Sequence, residues 1–311
     1  MKSNLMMMAA IAALGMTCVS CSSDNENLVG NEKPGKAHVR LVCGIGVSVS
    51  PMGAPTRAAL NSNGKQLTDL YVLDYDKATG KLLQVLHQTS TAADFAEPDL
   101  TLDYGEHVLK VVATRSAEPT LWDAQKISCQ VEPNILTPTT ASQPVMLTSA
   151  KTSDTFGAEK EVSVGIGNAT TVSIALDRLV AKLVVNSTDA FPDDATTVTL
   201  DMQEHRTMSW ATMDVIEAVE NQRVTDVTSL RGTTGTVLSF FLLAPKDGYT
   251  TDVTICTNRE EGKPYSTITV PSVPLERNKV TTITGPIYGH EQGVQVSVND
   301  AWSETTNDIN I

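Results

Sequence analysis

His38-Val39-Arg40-Leu41-Val42-Cys43-Gly44-Ile45-Gly46-Val47-Ser48-Val49-Ser50 carries an apolar side chain at every second position. Successive side chains of an extended backbone point to opposite sides, so Val39, Leu41, Cys43, Ile45, Val47 and Val49 share one face. This is the period of a half-buried β-strand. The run stops at Pro51-Met52-Gly53-Ala54-Pro55-Thr56-Arg57, where two prolines and a glycine cannot sit inside a regular ladder. An exposed loop is therefore expected here, with Arg57 at its end and Ala58 after it.

The same grammar extends along the chain. Leu70 to Tyr75 and Leu82 to Leu86 flank Asp76-Lys77-Ala78-Thr79-Gly80, which predicts a hairpin with turn residues at its tip. Further short strand patterns lie at Leu100 to Leu102, His107 to Ala113, Thr171 to Leu176, Leu179 to Val185, Thr197 to Leu200, Val237 to Leu243, Asp252 to Cys256 and Tyr265 to Val270. Two segments read as short helices: Thr120 to Ile127, and Trp210 to Val219, where Met213, Ile216 and Val219 recur every three residues. The chain reads as all-β, built of antiparallel sandwiches with minor short helices. A boundary near Leu176-Asp177 divides it into domains at 37–176 and 177–311, each of ordinary domain size.

Outside these domains, Lys2, an apolar run from Leu5 to Met16 and Ser20-Cys21 form a lipoprotein export signal over residues 1–20, with Cys21 as the acylated residue and Cys18 as a rival acceptor. The apolar run is about a dozen residues, short of the roughly twenty that span a bilayer as a helix. Residues 21–36 are polar, open with Ser22-Ser23-Asp24-Asn25-Glu26 and include Pro34-Gly35, as suits a flexible linker between lipid and fold. The formal charge of −13 becomes one unit more negative once Lys2 is removed. Phosphate recognition needs concentrated Lys and Arg, so nucleic acid is not expected as a partner.

Residues that could carry chemistry are few. Cys43, Cys129 and Cys256 lie far apart in apolar runs and read as buried thiols, with no pairing derivable from their spacing. The five histidines, His38, His87, His107, His205 and His290, are scattered and match no catalytic or zinc spacing, so no cofactor, metal or enzymatic activity is expected. Gly44-Ile45-Gly46 and Gly165-Ile166-Gly167 lack the rest of a dinucleotide fingerprint. Asp189, Asp193 and Asp194 could offer carboxylates to calcium, although a solvated acidic turn accounts for them without a full ligand set. A polysaccharide-binding surface would need exposed aromatic platforms; only 5% of the chain is aromatic, and Trp122 and Trp210 are the candidates.

Three segments taken together resemble the fimbrillins, subunits of the lipoprotein-derived type V pili of some Gram-negative anaerobes. The first is the strand from His38, the loop ending Thr56-Arg57-Ala58 and the strand that follows. The second is Asp177-Arg178-Leu179-Val180-Ala181-Lys182-Leu183. The third is Leu275-Glu276-Arg277-Asn278-Lys279 with Ile283-Thr284-Gly285, then Val294, Val296, Val298 and Trp302. The resemblance implies two tandem transthyretin-like β-sandwich domains on a lipid anchor at the outer membrane. It also implies cleavage after Arg57 by an arginine-specific protease, departure of the first strand, and refilling of its groove by a strand from within 292–311 of a neighbouring subunit. The partners implied are other fimbrial subunits, that protease, and a receptor on a host or bacterial surface; stalk, tip and anchor roles stay open, as does a polysaccharide-binding lipoprotein.

Residue physics sets the terms of such an exchange. Burying six apolar side chains is worth roughly 1.5–3 kcal/mol each, so an empty groove costs on the order of 10 kcal/mol. A whole domain is stable by only about 5–15 kcal/mol. From the pattern alone, both terminal runs read as strands paired within their own chain. Arg40 is a second trypsin-like site, but it sits inside the alternating run.

Overall fold

The structure is a computed structural model that describes residues 35–45, 61–62, 65–115, 154–166, 171–206, 208–209, 212–215, 217–289 and 293–299. Nineteen strands make up most of it. The first half contains β1 (Lys36–Ile45), β2 (Asn61–Ser62), β3 (Lys65–Gln66), β4 (Asp69–Asp76), β5 (Leu82–Thr89), β6 (Asp99–Asp103), β7 (Gly105–Thr114), β8 (Thr155–Val164) and β9 (Thr171–Arg178). The second contains β10 (Val180–Ser187), β11 (Ala195–His205), β12 (Met208–Ser209), β13 (Asp214–Val215), β14 (Ala218–Asp226), β15 (Gly235–Leu243), β16 (Tyr249–Arg259), β17 (Pro264–Leu275), β18 (Val280–Gly285) and β19 (Gln295–Asn299). The strand expected to stop at Leu176 runs on to Arg178, and the next begins two residues later at Val180.

The strand order of the first half is β5-β4-β7-β8-β9-β1-β6. Its middle link, β8 to β9, consists only of Phe156↔Arg178 and Gly157↔Asp177, so the sheet folds over there into two layers, β5-β4-β7-β8 and β9-β1-β6. Between them lies a core of Val39, Leu41, Cys43, Leu100 and Ile174 from one layer and Leu70, Val72, Leu109, Val111 and Phe156 from the other. The second half repeats the plan. Its layers are β14-β11-β16-β17 and β15-β10-β18, over a core that includes Leu183, Val185, Leu200, Val253, Ile255 and Ile283. Taken in chain order, seven strands of one half match seven of the other, with β1 corresponding to β10 and β9 to β18. β19 has no counterpart among the described residues of the first half.

Each half also contains one parallel pair. β1 runs parallel to β9 from Arg40↔Thr171 to Ile45↔Leu176, and β10 runs parallel to β18 from Lys182↔Val280 to Ser187↔Gly285. Apolar alternation sets which face of a strand is buried but is silent on direction, so a purely antiparallel reading misses these pairs. The expected β4–β5 hairpin is closed by Asp76, whose Oδ1 accepts hydrogen bonds from the Thr79 N–H at 2.7 Å and the Thr79 hydroxyl at 2.6 Å.

The helix expected over Trp210 to Val219 does not form. Met208↔Val215 and Ser209↔Asp214 pair as β12 and β13, and Val219 lies on the edge strand β14. Burial of Met208 and Met213 at the junction of the two halves overrides the three-residue spacing, and the turn is held by Arg277, which donates to the Met213 carbonyl and to Asp214 Oδ1 at 2.9 Å. The segment Thr120 to Ile127 lies outside the described residues. Among those residues the only helical elements are single 3-10 turns at Thr228–Leu230 and Glu260–Gly262.

Tyr71, Leu73 and Val112 from the first half pack with Leu179, Val180, Met208, Met213 and Leu243 to join the halves. Beside them lies a buried ionic knot. The fully buried Asp154 carboxylate accepts two bonds from Arg178, at 2.7 and 3.1 Å, and one from Arg115 at 3.1 Å. Arg178 also donates to Asn278 Oδ1 at 2.6 Å, and the Asn278 N–H donates to the Val180 carbonyl. Two segments quoted above, Asp177-Arg178-Leu179 and Arg277-Asn278-Lys279, thus meet at the junction. Asp154→Ala leaves two largely buried guanidinium groups without their carboxylate and should cost about 3–5 kcal/mol in urea denaturation, whereas a loss below about 1 kcal/mol would mean that the knot behaves as a surface pair.

Candidate functional site

β1 lies between two neighbours. Along one edge it pairs antiparallel with β6, from Lys36↔Asp103 to Arg40↔Asp99, and its ladder continues as Leu41 and Cys43 donate their N–H groups to the carbonyls of Pro98 and Ala96, both at 2.9 Å. Along the other it pairs with β9. Val39, Leu41 and Cys43 are buried in the first core and Ile45 is half-buried at its margin. Burial pushes the Cys43 thiol up to about 12, which keeps it a protonated, inert hydrophobe. At the surface, Lys36 pairs with Asp103 and Arg40 with Glu97, so the competing cleavage site at Arg40 is held within a ladder and an ion pair. Val47, Val49, Arg57 and Ala58 lie outside the described residues, as do Cys21, Trp122, Cys129, Trp210, His290 and Trp302.

The C-terminal run is placed quite differently. β19 pairs antiparallel with β18, from Val280↔Asn299 to Thr284↔Gln295, and all five of its residues are exposed. Val296 and Val298 keep 38% and 40% of their surface in water. Only Val294, just before the strand, packs against the second core. It crosses directly over Gly285, where an added Cβ would stand 3.0 Å from the Val294 Cα. Gly285 therefore permits the close backbone approach with which β19 begins.

Leading into this run, the loop Ile287 to Gly289 is gripped by Asp189. Its Oδ1 accepts the Ile287 N–H at 3.0 Å, and its Oδ2 accepts those of Tyr288 at 2.8 Å and Gly289 at 2.9 Å. Both oxygens are thus occupied by backbone donors, which gives Asp189 a structural task in place of the calcium role weighed from the sequence. Burial by itself would raise this carboxyl, but the bonds from Ser187, Ile287 and Tyr288 together outweigh it and hold it below the usual aspartate value. Its partners lie about a hundred residues away, so no local pattern could have revealed the grip.

Among the histidines, His107 is sealed between Asp74 Oδ1 at 2.7 Å and the Asp103 carbonyl at 2.8 Å, where it pins the β6–β7 turn. His87 stacks on Tyr71 with ring centroids 4.2 Å apart. A polar cleft of about 710 Å³ crosses β14, β11 and β16, lined in part by Asp201, Gln222 and Asp252. Two of its acids are engaged: Asp201 accepts Gln222 Nε2 at 2.8 Å, and Asp252 accepts the Ser272 N–H at 2.8 Å.

A family model described as "Family of unknown function (DUF6562)" matches residues 134–311, more than half of the chain. No curated protein matches. Solved structures are similar to the chain at low identity. The tip fimbrial protein Mfa3 from Porphyromonas gingivalis, truncated at its C-terminus, is 12% identical over 85% of this chain and 100% of its own, with a TM-score of 0.49. A candidate cell adhesion protein from Bacteroides eggerthii is 16% identical over 87% and 97%, with a TM-score of 0.49. A fimbrial assembly protein from Parabacteroides distasonis is 12% identical over 86% and 100%, with a TM-score of 0.42. Identities of this size with TM-scores below 0.5 carry no function across.

Asp189→Ala should cost roughly 1.5–3 kcal/mol at neutral pH, the usual worth of hydrogen bonds to a charged group. Because the folded carboxyl titrates below the unfolded one, that contribution is complete above the ordinary aspartate range and disappears as pH falls through the folded value. Urea melts of both proteins from neutral to strongly acidic pH should therefore converge at the acid end. A gap that persisted there would assign the loss to packing.

Proposed function

Starting from a chain that belongs to DUF6562, a family of unknown function, we propose that the protein is a non-catalytic structural subunit of a surface fibre of the fimbrial type. In this reading it is exported as a lipoprotein acylated on Cys21, carried to the outer face of the outer membrane, and assembled by strand exchange with other subunits, contributing to adhesion. An arginine-specific protease cuts between Arg57 and Ala58 and frees β1. The observation that carries the proposal is the contrast between the two terminal strands.

β1 is the middle strand of its layer. Its departure would part β6 from β9 and expose the pockets of Val39, Leu41 and Cys43 on the core side, a state that costs too much to persist unfilled. β19 is a supernumerary strand, exposed throughout and seated on a sandwich whose counterpart closes without it. A segment of alternating valines that contributes little to its own domain suits donation, because an incoming strand restores main-chain bonds and fills side-chain pockets together. Trp302, beyond the described residues, extends the candidate donor. The segment that links β1 to the rest of its domain contains Arg57 in a run with two prolines, a composition favourable to nicking.

Three measurements test this directly. Cys21→Ala should abolish incorporation of a fatty-acid analogue, while Cys18→Ala should leave it intact; the reverse pattern would move the acylated residue to Cys18. Arg57→Ala should block fibre formation by strand exchange yet leave a folded subunit that retains the Cys43 peptide in mass spectrometry. N-terminal sequencing of assembled subunits should then begin at Ala58. Assembled subunits that still begin before Ala58 would end the stalk reading in favour of an anchor that keeps its first strand and its lipid.

A further inference from the structure

The repeat between the halves points to a second place where copies of this chain join. In the second half, β10 is parallel to β18 over six pairs, and β19 covers the opposite edge of β18 from Val280 to Thr284. In the first half, β1 is parallel to β9 over six pairs, so Thr171 to Leu176 correspond to Val280 to Gly285, with Ile174 in the place of Ile283. The five residues equivalent to those under β19 are Thr171 to Ala175. On the edge away from β1 they have no strand neighbour among the described residues, because the pairing with β8 is confined to Asp177 and Arg178.

We propose that this edge of β9 accepts β19 of a second copy, as β18 accepts its own. Thr171-Val172-Ser173-Ile174-Ala175 contains no charge and no proline, the devices by which exposed edges are usually protected. Other edges have them: β17 contains Pro264, Pro271 and Pro274, and β14 contains Glu220, Arg223 and Asp226. β5 and β19 also lack both, but Leu82 and Val85 of β5 pack against the cluster that joins the halves, and β19 is itself the donor.

Carrying the β18–β19 register over to β9 sets Val296 opposite Ile174, Val298 opposite Val172 and Ser297 opposite Ser173. In its present position Val298 faces Thr281, so the move replaces an apolar–polar pair with an apolar–apolar one. Gln295, Ser297 and Asn299 would lie beside Ala175, Ser173 and Thr171, whose side chains are exposed, and no like charges meet. The contact leaves β1 in place. It is therefore separate from the groove that strand exchange would open, although both draw on the same donor segment.

The test uses the full chain with Arg57→Ala, which retains β1. Ser173→Cys combined with Ser297→Cys should form disulfide-linked dimers and longer chains on mild oxidation, while either change alone, or Ser173→Cys with Gln295→Cys, should not. In sedimentation velocity, Ser173→Lys with Ser297→Lys should weaken self-association at least tenfold, and Ser173→Lys with Ser297→Glu should restore it. Deleting residues 293–311 should abolish it. The proposal is overturned if the intact chain stays monomeric, if association survives the deletion, or if the cross-link forms only after residues up to Arg57 have been removed. The last result would assign the donor to the β1 groove and leave the strand-exchange reading standing. If the intact chain cross-links but Arg57→Ala has no effect on fibres, that reading fails and this one holds.

Discussion

Parallel pairing between the first and last strand of each half is the constraint on which the rest of the structure depends. Parallel neighbours cannot be joined by a hairpin. β1 must wait for β9, which begins 126 residues after Ile45, while β10 waits for β18, which begins 93 residues after Ser187. Everything between is arranged to bring these ends together: the four-stranded layers are built from local antiparallel pairs, and the fold-over at Phe156 and Gly157 turns β9 towards the space that β1 fills. Contacts this distant in sequence are slow to form, because the loop-closure entropy is lost before the pairing rewards it. Closure of the parallel pair therefore carries a large loop-closure cost in each half.

The junction shows how the halves depend on each other. Asp154 and Arg115 belong to the first half, Arg178 stands at its end, and Asn278 lies in the turn between β17 and β18. A buried carboxylate shared by two guanidinium groups is weak as a source of net stability but intolerant of partial occupancy. It fixes geometry more than it adds free energy. The turn that positions β18, and through it β19, is consequently tied to the end of β9, so the two edges compared above are held by one set of bonds.

Much of this was legible in the residues. The alternation from His38 to Ile45 identified β1 and its buried face, and the Asp76–Gly80 turn identified the hairpin at its tip, because both signals are local. Directions and partners were not legible, since period-two patterning is the same for parallel and antiparallel strands. The reading of Trp210 to Val219 as helix failed because three-residue spacing arises equally when a hairpin sends its methionines into a junction that only the tertiary structure creates. Asp189 looked like one of three acids in a turn; its task became visible only once residues 287–289 stood beside it. The C-terminal valines showed their alternation in the sequence, but not that their strand would be an addition to a sandwich already complete.

The three prolines of β17 have a further consequence. Proline has no N–H to offer, so the outer edge of that strand is a poor template for a new neighbour. The charged outer strand β14 is protected by other means. A molecule that blocks these edges while presenting a donor at its C-terminal end and acceptors in its first half has a head and a tail. Contacts between unlike surfaces of this kind do not close into a symmetric pair; they repeat until something stops them. An assembly that repeats one such donor–acceptor contact would be polar, with two ends that differ in what they can bind next.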